Sequence, residues 1–226
     1  MRLSVAVAGN DAPASAFVVW RGFETSIEKA ADLGYHGVEL ALKNADEIEP
    51  RKLDQWLASR DLEVSCISTG QVYAVSGLYF THPDADARAK VLEVFRGLVD
   101  LAQDHGGLIN VGRARGYYQE GQTPEEVEQL FIDQARRICD MGASKGVTLM
   151  IEPVNRYEIN FVNSVDDAAA LLSRVERENV GIMPDTFHMN IEDAHIGDAL
   201  YRNIDKVCYV HFADSNRLAP GQAHLD

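Results

Sequence analysis

The sequence predicts an α/β protein, a (β/α)8 barrel, from three observations. Short apolar runs alternate with amphipathic segments in units of roughly 30 residues, the length of a strand–helix–strand repeat. The runs are nearly uninterrupted, as parallel strands buried on both faces require. No GxGxxG follows the first run, which removes the signature of a dinucleotide-binding sheet. Seven predicted strands exceed a small flavodoxin-like sheet, so a barrel with helices outside accommodates the pattern best.

Residues 3–8 form the first strand. Ile27, Ala30 and Ala31 share one face of a helix over 25–33, stopped by Gly34. In the strand over 37–42, GVELAL, only Glu39 interrupts the apolar character. Leu53, Trp56 and Leu57 mark a helix over 50–60, and 62–69 is the third strand. A loop with Tyr73, Tyr79 and Phe80 runs on to Pro83 and suits a pocket wall or lid. Val91, Leu92, Phe95, Leu98, Val99 and Ala102 define a helix over 84–105. The strand over 108–112 runs into Arg113 and Arg115. Thr123, Pro124 and Glu126 are a capping-box helix start, and Gly146 is that helix's stop. The strand over 147–151 precedes a second capping box, Ser164 to Asp167, which opens a helix over 164–175. A strand over 180–183, a helical segment over 191–201 and a strand over 207–212 complete the pattern.

No linker or low-complexity stretch divides the chain, so 1–226 is expected to be a single barrel domain. Seven strands, six helices and a polar tail over 216–226 fall one unit short of eight. The expectation is therefore a barrel truncated after strand seven, lacking the eighth strand/helix unit. Lys and Arg number 21 against 35 Asp and Glu, a net charge of −14, which argues against a nucleic-acid partner. No run approaches the roughly 18 apolar residues of a membrane span, and the N-terminal apolar run is too short for a signal peptide. Cys66, Cys139 and Cys208 lie apart without CxxC spacing, as reduced thiols of a cytoplasmic enzyme would.

Strand ends converge on one rim of such a barrel. Glu152, Asp185 and His211 follow the strands over 147–151, 180–183 and 207–212, and so are expected to meet. Two carboxylates and an imidazole suit one divalent metal ion: Mn2+ foremost, with Mg2+, Co2+ and Zn2+ as the other candidates. Glu152 is read as both metal ligand and catalytic base. His188, three residues past Asp185, is placed to hydrogen-bond a substrate oxygen that develops charge; the competing reading is a loop histidine. Glu158 and Arg217 each lie six residues beyond a metal-site residue, within reach of a second part of a substrate. Arg217 has the competing reading of a rim salt bridge. Arg113 and Arg115 are expected to grip a carboxylate or phosphate, against the alternative of two solvated arginines. Glu39 either orients the site, pairs with an arginine inside the barrel, or is structural. His36, His82, His105 and His195 lack partner spacing and are read as structural.

The motifs IEPVNRYE (151–158), DTFHMNIED (185–193) and YVHFADSNRLAPGQAHLD (209–226) resemble the xylose isomerase-like TIM-barrel sugar isomerases and epimerases. Within that family the likeness is to the tagatose/psicose 3-epimerase and hydroxypyruvate isomerase group. SVAVAGNDA, GYHGVELAL, STGQVY, GLYFTHPD and INVGRARG narrow the resemblance to the 5-keto-L-gluconate epimerase branch. The resemblance puts Glu152, Asp185 and His211 on metal-ligand positions and Glu158, His188 and Arg217 on substrate-contacting ones. It also implies a fourth ligand and second base, a glutamate on an eighth strand that these residues do not include.

The implied activity is metal-dependent isomerisation or epimerisation of a keto-sugar or keto-uronate, by proton abstraction next to a ketone through a cis-enediolate. Carbohydrate metabolism is the expected setting, a sugar or sugar acid the partner, and a homo-oligomer the expected state. Without the second glutamate, activity is expected to be weak or absent. Two rivals stand: a non-catalytic metal- or sugar-binding relative, and an apurinic endonuclease. The endonuclease needs further ligands where this chain has Thr69 and Arg113, and His224 and Asp226 echo it only faintly.

Overall fold

The computed structural model of the chain describes residues 1–13 and 20–225. Six of the strands carry the barrel wall: β1 (Ser4–Ala8), β3 (Gly37–Ala41), β4 (Glu63–Ser68), β5 (Leu108–Val111), β6 (Thr148–Ile151) and β7 (Val180–Ile182). A two-residue strand, β2 (Trp20–Arg21), pairs with the end of β1. All pairings are parallel and the order is β2-β1-β3-β4-β5-β6-β7. Among the described residues no pairing joins the two edges of this sheet.

The helices are α1 (Phe23–Asp32), α2 (Pro50–Ala58), α3 (Gly70–Ser76), α4 (Ala85–Asp104), α5 (Pro124–Ala143), α6 (Val165–Ser173), α7 (Thr186–Glu192) and α8 (Ile196–Arg202). Both expected capping boxes form, at Thr123/Glu126 and at Ser164/Asp167. Strand alternation sorts the core into two layers. Val38, Leu40, Ile67, Ile109, Val111, Leu149 and Ile151 face the helices in one continuous cluster. The opposite face carries Cys66 and Met150, which pack with Met183 inside the sheet. Glu39 and Asn110 alternate with the outward residues of β3 and β5, so both fall on that inner face.

The structure departs from the sequence pattern in three elements. Residues 207–212 form no strand; two bridges, Ile182 to Val207 and Asp185 to His211, hold them against β7. Pro184 lacks the N–H that would continue the ladder, and the pairing slips by one residue across it. The loop expected after Thr69 contains α3, which ends at Gly77 in the left-handed region, φ 64°. Buried Gln71 and Val72 hold this helix in place, and the Gln71 amide donates to the Ala41 carbonyl. The segment expected to be helical over 191–201 is two helices, because Asp193 and His195 both take extended backbone.

Arg115 requires a correction of role. It is fully buried, 0% exposed, and faces no opening to a substrate. Its Nε donates to Phe161 O (2.7 Å), Nη1 to Gly112 O (3.0 Å) and Glu152 O (2.8 Å), and Nη2 to Val162 O (2.8 Å). Burial works against its charge, while the Glu152 and Glu158 carboxylates support it. The guanidinium clamps the ends of β5 and β6 to the 161–162 segment.

Replacing it, Arg115→Met, leaves the Phe161 and Glu152 carbonyls without a donor, while Gly112 O keeps the Arg115 N–H and Val162 O the Val154 N–H. At roughly 1–3 kcal/mol for each acceptor left dry, urea unfolding should show a loss of at least about 2 kcal/mol. A loss below about 1 kcal/mol would show that the clamp is dispensable.

Asp193, just past α7, gives a pH-dependent prediction. Burial, then the like charge of Asp166, pushes its carboxyl up to about 6, and its Oδ2 is buried with no partner. The folded state therefore holds this proton more tightly than the unfolded chain, whose aspartate titrates near about 3.9. Stability is lost as pH rises from about 4 through about 6 and is level beyond. Because the group is half-buried, Asp193→Asn should gain only about 1 kcal/mol at neutral pH and nothing near pH 4. Thermal melts at the two pH values test this; equal gains at both would overturn it.

Candidate active site

The site is assembled from Glu152 and Asp185 just beyond the ends of β6 and β7, His211 in the segment bridged to Asp185, and one inward residue of β3. Glu152 continues the β6 ladder, its N–H donating to Val111 O at 3.1 Å, and Pro153 then ends the pairing. Its side chain crosses in front of β5, where a Cβ on Gly112 would stand 2.8 Å from Glu152 Oε2. A side chain at 112 would force that carboxylate to shift. Asn110 Nδ2 donates to the same oxygen at 3.0 Å.

Asp185 caps α7: its carboxylate accepts from Phe187 N at 2.8 Å through Oδ1, which leaves Oδ2 turned to the site. His211 Nδ1 lies 3.5 Å from Glu152 Oε1 and 3.9 Å from Asp185 Oδ2. His188 Nε2 also lies 3.9 Å from Asp185 Oδ2. Donors sharing one cation at bonds of roughly 2.1 Å and right angles sit about 3 Å apart, so small movements bring this set onto a metal. Glu152, Asp185 and His188 offer ligand atoms within 4.8 Å of one another, and His211 Nδ1 stands beside the same two carboxylates.

Hydrogen-bond partners separate the two histidines. His211 Nε2 meets Glu39 Oε2 at 2.8 Å, and Glu39 is 3% exposed on β3. A carboxylate can only accept, so the proton sits on Nε2 and the Nδ1 lone pair of neutral His211 points at Glu152 and Asp185. For His188 the polarity is reversed. Its Nδ1 receives the backbone N–H of Asn155 (3.2 Å) and the Asn155 amide (2.8 Å), so it is the acceptor and Nε2 carries the proton. His211 therefore presents a ligand atom to the site, and His188 presents a donor.

The ionisation of His188 agrees with this division, while His211 without a bound cation is held as the imidazolium. Burial pushes His188 down, toward the neutral form. Burial also opposes charge on His211, but Glu39 and Glu152 outweigh it and raise its pKa well above the ordinary value. Burial would raise Glu152, yet His211, His188 and Asn110 hold its carboxyl below the usual range. Asp185 is raised, by burial and then by Glu152. Two buried carboxylates facing one imidazole suit a cation, which stabilises both charges and takes the place of a proton on His211.

Arg217 forms an ion pair with Glu158, packs its Cζ 4.6 Å above the Phe187 ring, and lies with Nη2 3.4 Å from His188 Nε2. Both nitrogens carry hydrogens, so they present donors side by side. Asn155 Nδ2 reaches Glu158 Oε1 at 3.4 Å, linking this group to His188. Arg113 stands on the turn after Gly112 with its Cζ 5.6 Å over Tyr73, which packs edge-on against Tyr79 and Tyr117, themselves tilted on each other. Of the residues singled out in the sequence, Glu152, Asp185, His211, His188, Glu158 and Arg217 come together; Arg113 borders them and Arg115 lies beneath. Glu39 orients His211, and this histidine rather than an arginine is its partner. Asn110, Asn155 and Gly112 were not singled out, although a lone Asn in the apolar run over 108–111 is the same kind of signal as Glu39.

A family model described as xylose isomerase-like TIM barrel matches residues 27–226. An L-ribulose 3-epimerase from Methylomonas sp. (strain DH-1) is 30% identical over 210 residues, covering 91% of this chain and 71% of that protein. A D-psicose 3-epimerase from Enterocloster bolteae is 38% identical over 209 residues, covering 90% of this chain and 69% of that protein. The crystal structure of a D-allulose 3-epimerase from Methylomonas sp. in complex with D-allulose superposes with a TM-score of 0.83 at 27% identity, over 100% of this chain and 77% of that one. The strand-end carboxylates and histidines thus lie in a fold shared with sugar epimerases, and the chain belongs to the xylose isomerase-like TIM-barrel family as an enzyme of the isomerase/epimerase class.

Proposed function

We propose that Glu152, Asp185 and His211 Nδ1 hold one divalent ion, Mn2+ foremost, and that the site epimerises a keto-sugar by moving the proton next to its ketone. The observation that carries this reading is the opposed hydrogen bonding of the two histidines beside the same carboxylates: His211 Nε2 meets Glu39, whereas His188 Nδ1 meets the N–H groups of Asn155. A cation bound there polarises the ketone and the neighbouring hydroxyl. Glu152 stays ionised and takes the proton from the adjacent carbon. His188 Nε2–H and the Arg217 guanidinium donate to substrate oxygens on which charge develops. Glu158 fixes Arg217 and contributes an acceptor to the same wall. Epimerisation needs a base on each face of the carbon, and the resemblance assigns the second to a glutamate on an eighth strand.

The finer reading is a keto-uronate of the 5-keto-L-gluconate type. Arg113 supports it, because a guanidinium beside a tyrosine wall suits a sugar carboxylate. Arg115 is withdrawn from that role. The ends of β4 and β5 carry Thr69 and Arg113, neither of them a ligand for the multi-metal cluster of an endonuclease. The acidic chain and its three separated cysteines suit a cytoplasmic enzyme of carbohydrate metabolism, and among the described residues no helix is long and apolar enough to cross a membrane.

Solvent-deuterium exchange into the carbon-bound proton of a ketohexose, read by NMR, isolates the half-reaction that Glu152 alone can perform. The Mn2+-loaded chain should exchange it, EDTA should abolish exchange, and Glu152→Gln should slow it by at least about 100-fold. No exchange by the loaded chain would leave a binding protein rather than an enzyme.

Arg113→Ala should reduce exchange into a keto-uronate at least about tenfold more than into D-psicose. Equal losses on both substrates would remove the acid-sugar reading and leave the epimerase one.

A further inference from the structure

Asp214 lies three residues beyond His211 and is 1% exposed, although most of the segment after it is exposed. Its carboxylate gathers that segment. Oδ1 accepts from Ser215 N (2.7 Å), Ser215 Oγ (3.3 Å) and Leu225 N (3.0 Å), and Oδ2 accepts from Gly221 N (2.9 Å) and Ala223 N (3.0 Å). Its backbone is held too, with Asp214 N donating to Leu218 O and Arg217 N to Asp214 O, both at 2.8 Å. No helix or strand runs through 212–225, so these N–H groups have no ladder to pair with. The lone pairs of one carboxylate take four of them. Thr186 anchors the preceding residue: its Oγ1 donates to Ala213 O (2.7 Å) and accepts from Ala213 N (3.0 Å).

The loop so gathered contains Arg217 with φ 65°, a left-handed backbone that residues with a Cβ disfavour. From that backbone the guanidinium reaches Glu158, Phe187 and the protonated face of His188. The Asp214 bonds span the loop from residue 215 to 225, whereas the bond from Leu218 N to Asn216 Oδ1 holds only the turn itself. The N–H groups, that of Leu225 foremost, hold the Asp214 carboxyl well below the usual range, so it remains an acceptor on both oxygens.

We propose that Asp214 is a positioning residue for substrate binding: it folds the 215–225 loop around its carboxylate and thereby fixes Arg217 against Glu158 and His188. This rests on the reading that Arg217 contacts the substrate. A double-mutant cycle on Mn2+-loaded protein separates the two, with deuterium exchange into D-psicose giving KM and kcat and calorimetry giving Mn2+ affinity. Asp214→Asn keeps the shape but turns an N–H2 toward two of the N–H donors. It should raise KM about tenfold, leave kcat within about threefold and leave Mn2+ affinity unchanged. Arg217→Ala should raise KM as much, and D214N/R217A should be no worse than R217A alone. Multiplied losses in the double variant, or an unchanged KM in D214N, overturn the proposal. An unchanged KM in R217A overturns the substrate role of Arg217 and this inference with it. Should D214N fail to fold, Ala223→Pro removes one donor while keeping the carboxylate; it must raise KM in the same direction, or the proposal falls.

Discussion

The hydrogen bond from His211 Nε2 to Glu39 is the contact on which the rest of the site depends, because it decides which nitrogen of His211 faces the carboxylates. An imidazole without that partner has either nitrogen free to carry the proton, and half its orientations turn a donor toward Glu152 and Asp185. Glu39 removes the choice. It does so from a strand whose five residues are all buried, where an unpaired carboxylate would be costly. The pairing therefore answers two requirements together: it satisfies a buried charge and orients a ligand atom.

The surrounding structure keeps this pair from relaxing. The Arg115 clamp ties the ends of β5 and β6 to the 161–162 segment from below, so Glu152 leaves its strand at a fixed height. Gly112 opens the space through which its carboxylate reaches across β5, and Asn110 fixes one oxygen, leaving the other for His211. Above them, Asp185 spends one oxygen on capping α7 and keeps the other for the site. Each of the proposed ligand groups thus has a hydrogen bond that belongs to the scaffold and an atom turned to the site. Such preorganisation limits the reorganisation a bound cation must impose.

Much of this was legible in the sequence, and the reason differs from residue to residue. The parallel strand–helix order followed from apolar runs at regular intervals, and the capping boxes at Thr123 and Ser164 from local chemistry that tertiary contacts do not override. Glu152, Asp185 and His211 were visible because strand ends meet on one rim. Glu39 showed itself as a charge inside an apolar run; its partner did not, since a contact across 172 positions leaves no local trace. Arg115 was misread because sequence spacing does not distinguish an arginine aimed at a substrate from one folded under the strands. The strand expected over 207–212 failed for a reason that was on view, Pro184 in the neighbouring segment, but its effect acts on the pairing partner rather than on the residues themselves.

The site has two halves of different construction, and this bears on where substrate choice resides. The ion-binding half hangs on strand ends and on an inward residue of the barrel wall, with positions set by sheet geometry and by buried hydrogen bonds. The other half, Asn155, Glu158, Arg217 and Arg113, stands on segments outside the strands, where side-chain hydrogen bonds and single carboxylates such as Asp214 do the holding. On the proposed reading, changes in the first half act through His211 or Glu152 on proton transfer, and changes in the second act on how the sugar is gripped. That separation makes Arg113, on a segment outside the strands, the residue proposed to bear on substrate class.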